Sequence, residues 1–288
     1  MPAKPATLGG ALALLLALGL AAPAHAQGIQ SPSSTSESDK PAPPPEAGPV
    51  GDKLSGFIET GLNYHILTDG QEDWFGQYLR GAVDIEHRNI VTYEVVHEEE
   101  FGDDGTFFSV GLTHVLNPDW YGSLSVGTSA GGFFWPKVRV DAFVSKKWLE
   151  QRNLITTIGF GYYDAKDVHY DFSAFIGAAY YFESPWIVEA GLRYNFSQPG
   201  NVTAPGPFAA VTYGRNKAYY IVLRVGIGRE AYQVVGPDEA ITDFASQVVT
   251  LTWRHWLTQQ WGFKLQTEYY HNPFYERVGF EGGVFWDF

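Results

Sequence analysis

From Ser55 onward, apolar side chains recur at every second position, in segments of about 10 to 14 residues separated by turn-forming residues. In the first segment Ile58, Thr60, Leu62, Tyr64 and Ile66 share one face, while Glu59, Gly61, Asn63 and His65 share the other. The same division sets Leu79, Val83 and Ile85 against Tyr78, Arg80 and Asp84, and Phe263, Leu265, Thr267 and Tyr269 against Lys264, Gln266 and Glu268. A period of two predicts strands, each with one oily and one polar face. Turn signals fall into two alternating sets. Short ones stand at His87-Arg88-Asn89, Asn117-Pro118-Asp119, Glu150-Gln151-Arg152, Glu183-Ser184-Pro185, Arg215-Asn216-Lys217 and Thr258-Gln259-Gln260. Longer ones span 68–73, 102–105, 129–132, 164–167, 198–205, 235–241 and 272–273. Together they delimit about fourteen strands, with 12 to 16 as the range, because Pro205 and Pro207 disfavour an interior strand where they stand.

Aromatic placement decides what the oily face meets. Trp120, Trp148, Phe182, Trp186, Trp256 and Trp261 flank the short turns, and Trp286 and Phe288 end the chain. Rings gathered at one level form an interfacial girdle, which a soluble sandwich has no reason to build. The expected fold is an all-β transmembrane antiparallel up-and-down barrel in a Gram-negative type outer membrane, occupying residues 55–288. An even strand number places both termini on the periplasmic side.

Composition narrows the partners. The 288 residues include no Cys, which excludes disulfides, thiolate metal sites, a cysteine nucleophile and a lipidated N-terminal Cys. A net charge of -13 makes nucleic acid a poor partner. The expected contacts are outer-membrane lipid, lipopolysaccharide, the barrel assembly machinery and a polysaccharide or periplasmic export partner. Lys4, the apolar stretch Leu8 to Ala22 and the Ala24-His25-Ala26 site read as a signal peptide over residues 1–26. Residues 27–54, rich in Ser and Pro, read as a disordered periplasmic linker.

The last eight residues, Glu281 to Phe288, resemble the C-terminal strand signal read by the barrel assembly machinery, through Glu281, Gly283, Trp286 and Phe288. Three further features make the chain resemble the YaiO family of outer-membrane β-barrels over about Ser55 to Phe288. They are the first strand Gly56-Phe-Ile-Glu-Thr-Gly-Leu-Asn-Tyr64, the aromatic-rich start of the second at Trp74, and Gly132-Phe-Phe-Trp-Pro136 followed by Val138 to Phe143. The resemblance implies fold and location and hints at envelope or exopolysaccharide traffic. It transfers no catalytic residues. Longer family members carry helical repeats before the barrel, and here the linker stands in that place.

Phase places Glu59, Arg80, Asp84, Glu86, Glu94 and Glu98 on an acidic inner wall of strands one to three. It places Glu189, Arg193, Arg224, Arg254, Lys264 and Glu268 on a more basic wall of strands nine to thirteen. Arg139 and Asp141 also point inward. Such walls either set a transverse field that orients polar solutes or pair locally, for instance Lys264 with Glu281. Inward Tyr121, Tyr163, Phe175, Tyr181, Tyr220, Tyr270 and Phe285 either stack on sugar rings or pack the lumen. A barrel of fourteen tilted strands is roughly 28 Å across the backbone, enough for a channel.

The expected function is a pore or export conduit for a hydrophilic solute, a saccharide or exopolysaccharide first. The alternatives are a closed barrel acting as an envelope structural or interaction protein, and a rim hydrolase using His65, His169 and Asp171. His97 to Glu100 with Asp103 and Asp104 reads as a solvated acidic loop before a cation site. Gly226-Ile-Gly228-Arg-Glu-Ala231 lacks the helix a dinucleotide site needs. No catalytic residue, metal or cofactor is assigned.

Overall fold

The structure is a computed structural model that describes residues 54–236 and 239–288. The segments read as signal peptide and, Leu54 apart, as linker lie outside them. Fourteen strands follow one another: β1 Ser55–Leu67, β2 Trp74–Ile85, β3 Asn89–Glu100, β4 Asp103–Asn117, β5 Trp120–Gly131, β6 Val138–Trp148 and β7 Leu154–Asp164, then β8 Tyr170–Tyr181, β9 Trp186–Gln198, β10 Val202–Arg215, β11 Tyr219–Gly236, β12 Glu239–Trp256, β13 Trp261–His271 and β14 Glu276–Asp287. Every strand pairs antiparallel with its sequence neighbours, and β14 returns to β1 from Phe57 opposite Asp287 to Leu67 opposite Arg277. Gly56 and Phe288 exchange both backbone hydrogen bonds, at 3.0 and 2.9 Å, so the last residue completes the ring. Closure leaves no sheet edge, the condition for carrying a β-sheet backbone through lipid.

The oily face points outward. Leu62, Leu79, Leu124, Ile158, Ile176, Leu223, Leu251 and Leu265 are all exposed, a surface that only an apolar solvent satisfies. Trp120, Trp148, Phe182, Trp186 and Trp261 ring the end that carries the termini, with Lys146 Nζ 3.5 Å from the Trp148 ring centre. Tyr64, Phe75, Tyr170, Phe172 and Phe196 ring the far end. On β9 the interval from Trp186 to Phe196, at roughly 3.3 Å per residue and about 40° tilt, spans about 25 Å of bilayer normal. Trp256 departs from the expected girdle. It lies on the inward phase of β12 and donates from Nε1 to an Asp287 carboxylate oxygen at 2.7 Å.

The connections depart from the expected contrast of short and long. At the far end, β3 and β4 are joined by Phe101 and Gly102 alone, both at positive φ, which suits the type I′ geometry of a tight hairpin. Extra length there goes into strand, since β11 and β12 each run for 18 residues. Residues 202–205, expected in a turn, therefore belong to β10, as residues 235–236 belong to β11 and 239–241 to β12. Pro205 and Pro207 are accommodated because the ladder from β10 to β9 runs through both, whereas the ladder to β11 begins only at Phe208. Their missing N–H groups thus fall on an edge-like stretch.

Candidate functional site: the barrel lumen

Alternation delivers one polar side chain inward from every second residue, and the two halves of the wall use that space differently. Along the closing seam it is filled. Glu59 is bound by both Arg80 and Arg254. Arg80 also reaches Glu281 at 3.2 Å, and Lys264 Nζ donates to Glu281 at 2.7 Å. Glu59 is 1% exposed and Lys264 0% exposed. Since β12 to β14 adjoin β1 in the closed ring, several of the acidic and basic residues assigned to separate walls meet here as an ion-pair cluster. Towards the far end Arg277 pairs with Glu268 at 2.7 Å and covers the rings of Trp74 and Tyr270. Tyr270 in turn donates to Glu230 at 2.7 Å.

The wall from β6 to β11 carries a row of aromatic rings. Phe143, Phe175 and Phe208 form a band, with ring centres 5.7 and 6.1 Å apart. Each lies where a glycine leaves room: a Cβ on Gly159, Gly177 or Gly191 would stand 2.3, 2.8 or 2.6 Å from the respective ring. The Arg224 guanidinium lies 3.8 Å from the Phe208 ring centre and that of Arg193 5.9 Å from Phe175. These three rings and two guanidinium groups stay half-exposed to the lumen. Nearby, Arg139 pairs with Asp141 at 2.7 Å.

Both ends narrow. At the end with the termini, Phe57 and Tyr121 pack with Ile90 and Ile155, while Tyr220, Trp256 and Phe285 form a second cluster. Asp84 there contacts His87 at 2.7 Å, and Glu189 lies by the Tyr121 and Tyr181 phenols. At the far mouth the connection between β5 and β6 folds into the barrel. Trp135 is 0% exposed and stacks on Phe107 with centres 4.9 Å apart and planes 10° apart. Asp103 accepts from Phe133 N at 2.8 Å, and Tyr163 donates to the Phe134 carbonyl at 3.4 Å. Across the mouth Tyr232 stacks on His169 at 3.8 Å, and Gln233 Nε2 lies 2.6 Å from the Tyr275 hydroxyl.

Inward phase accounts for Glu94, which lies in the field of Arg80 and Arg139, and for the other assigned lumen residues. Glu86 differs: it sits exposed in the β2–β3 turn at φ 58°, because the strand ends at Ile85. Among the buried described side chains, carboxylates outnumber guanidinium and ammonium groups two to one. The rim residues do not assemble as one site. His65 packs against Trp74, His169 Nδ1 is 2.6 Å from Asp167, and Asp171 lies deeper on β8. Among the described residues no group of His, Asp or Glu forms a metal cluster, since alternation sends His97 outward and Glu98 and Glu100 inward. Phe208 was not singled out from the sequence, and Phe143 and the mouth loop entered only as part of the family resemblance, not as lumen groups. A glycine across the ladder from an inward aromatic was the available signal.

The sequence model described as the YaiO membrane beta barrel domain matches residues 56–233. No curated protein matches the chain. Among solved structures it is similar to the CymD monoaromatic hydrocarbon channel, at 6% identity and TM-score 0.54 over 81% of this chain and 88% of that one. It is also similar to a bacterial polysaccharide outer membrane secretin, at 9% identity and TM-score 0.51 over 83% and 99%. An anion-selective porin from Comamonas acidovorans aligns at 9% identity and TM-score 0.48 over 82% and 99%. At such identities the first two likenesses bear on fold alone, and the third carries no argument. With the family match spanning most of the closed ring, the chain belongs to the YaiO family of β-barrels and resides in the outer membrane.

Proposed function

We propose that this barrel is a gated conduit for a hydrophilic solute, a saccharide chain, with its chain termini towards the periplasm and residues 1–26 and 27–54 serving as secretion signal and solvated linker. The observation that carries the proposal is the half-exposed band of Phe143, Phe175 and Phe208 beside Arg193 and Arg224. Half-exposed rings on a wall offer apolar surface to the C–H faces of sugars, while guanidinium and carboxylate groups meet the hydroxyl edges. Wall glycines keep those rings out of the central space. The Phe133 to Trp135 loop, tied down through Asp103 and Tyr163, is the gate.

The test is single-channel recording in planar bilayers. Wild-type barrel is expected to give intermittent ion current, and replacing Phe133, Phe134 and Trp135 together by Gly to lengthen the open periods. Silence from both well-folded proteins overturns the proposal. It would favour a closed envelope structural or interaction protein, a reading supported by the packed seam and covered mouth.

A further inference from the structure

We infer that a notch between β6 and β9 is a socket for the ammonium group of an amino sugar. This inference rests on the conduit reading and names the class of saccharide. The notch is bounded by Arg139, Asp141, Tyr163, Asp171, Ser173 and Arg193 and encloses about 20 Å³, room for one water-sized group. Gly161 forms its floor: a Cβ there would stand 2.4 Å from Ser173 Oγ and 2.9 Å from Asp141 Oδ1. Tyr163, Ser173 and Arg193 are half-exposed, so the notch opens to the lumen below the mouth loop that Tyr163 holds.

The charges in the notch are unevenly answered. Asp141 is held by Arg139 at 2.7 Å and lies 3.8 Å from Arg193, which also donates to Ser173 Oγ at 3.1 Å. Asp171 is 3% exposed, and neither of its oxygens completes a hydrogen bond, although the Ser197 hydroxyl lies beside it. A buried carboxylate with no ion-pair partner is costly, and a ligand that brings a cationic donor to it regains that cost as affinity. A primary ammonium is water-sized, carries three donors and one positive charge, and so fits both the volume and the vacancy in charge. With the amine seated against Asp171, Phe175, four residues further along the same strand and roughly 13 Å away, is left for a later sugar of the chain. A neutral hydroxyl fills the space without answering the charge, and an N-acetyl group is too large for it.

The experiment compares blockade of the full barrel's ion current by tetramers of glucosamine, N-acetylglucosamine and glucose. Wild type is expected to be half-blocked by the glucosamine tetramer at a concentration at least tenfold below that of the other two. Asp171→Asn, and independently Gly161→Ala, which fills the notch, should abolish the preference while leaving block by the glucose tetramer intact. Glu94→Gln removes an equal lumen charge elsewhere and should preserve the preference. Equal block by all three sugars in wild type, a preference that survives both notch variants, or an equal loss in Glu94→Gln overturns the socket and leaves the conduit standing. Ion current that none of the three tetramers blocks overturns the saccharide reading, and with it the socket.

Discussion

Placing an arginine on the outer face at mid-depth probes the premise beneath everything else, that lipid solvates that face. Trp261 and Tyr269 mark opposite ends of the oily side of β13, and Leu265, exposed like them, stands midway. At roughly 3.3 Å per residue and about 40° tilt, Leu265 lies about 10 Å from each ring band, close to the centre of a hydrocarbon layer about 25 Å deep. Leu265→Arg is therefore expected to cost about 2–4 kcal/mol, roughly thirty- to a thousandfold in the folding equilibrium. Leu257, also exposed but in the turn between β12 and β13, lies beyond the girdle, and Leu257→Arg should cost about 0–1 kcal/mol. Reversible urea unfolding in phospholipid vesicles measures both. Equal costs for the two variants would refute the assignment of this face to lipid, because burial and strand register alone do not distinguish the sites by depth.

Glu59→Gln leaves Arg80 and Arg254 facing each other without their shared carboxylate and should destabilise the barrel by about 3–5 kcal/mol, read as a lowered denaturation midpoint in micelles; an unchanged midpoint would mean that the seam cluster is solvated. Arg224→Ala removes a cation from a lumen in which carboxylates predominate, and the reversal potential in a salt gradient should move towards greater cation permeability. An unmoved potential would place Arg224 outside the conducting path.

The alternation of Ile58, Thr60, Leu62, Tyr64 and Ile66 with Glu59, Gly61, Asn63 and His65 was enough to establish strands with one oily and one polar face, because a period of two assigns each side chain to a side of the sheet. Thirteen turn signals set the strand number, and Trp rings beside the short turns located one membrane boundary. Periodicity says which way a residue points but not what it meets there. That Glu59 on β1 and Arg254 on β12 are partners follows only from closure of the ring, which brings the first and last strands together. Trp256 could be assigned to the girdle until the register of β12 turned it inward. The prolines of β10 argued against a strand until its unpaired side was known. The Phe133 to Trp135 run stood in the sequence only as a motif beside the turn at 129–132, and tertiary packing against Phe107 folds it into the mouth. Local pattern thus determined orientation and location, whereas the packing of the lumen depended on contacts between strands far apart in sequence, which no local pattern encodes.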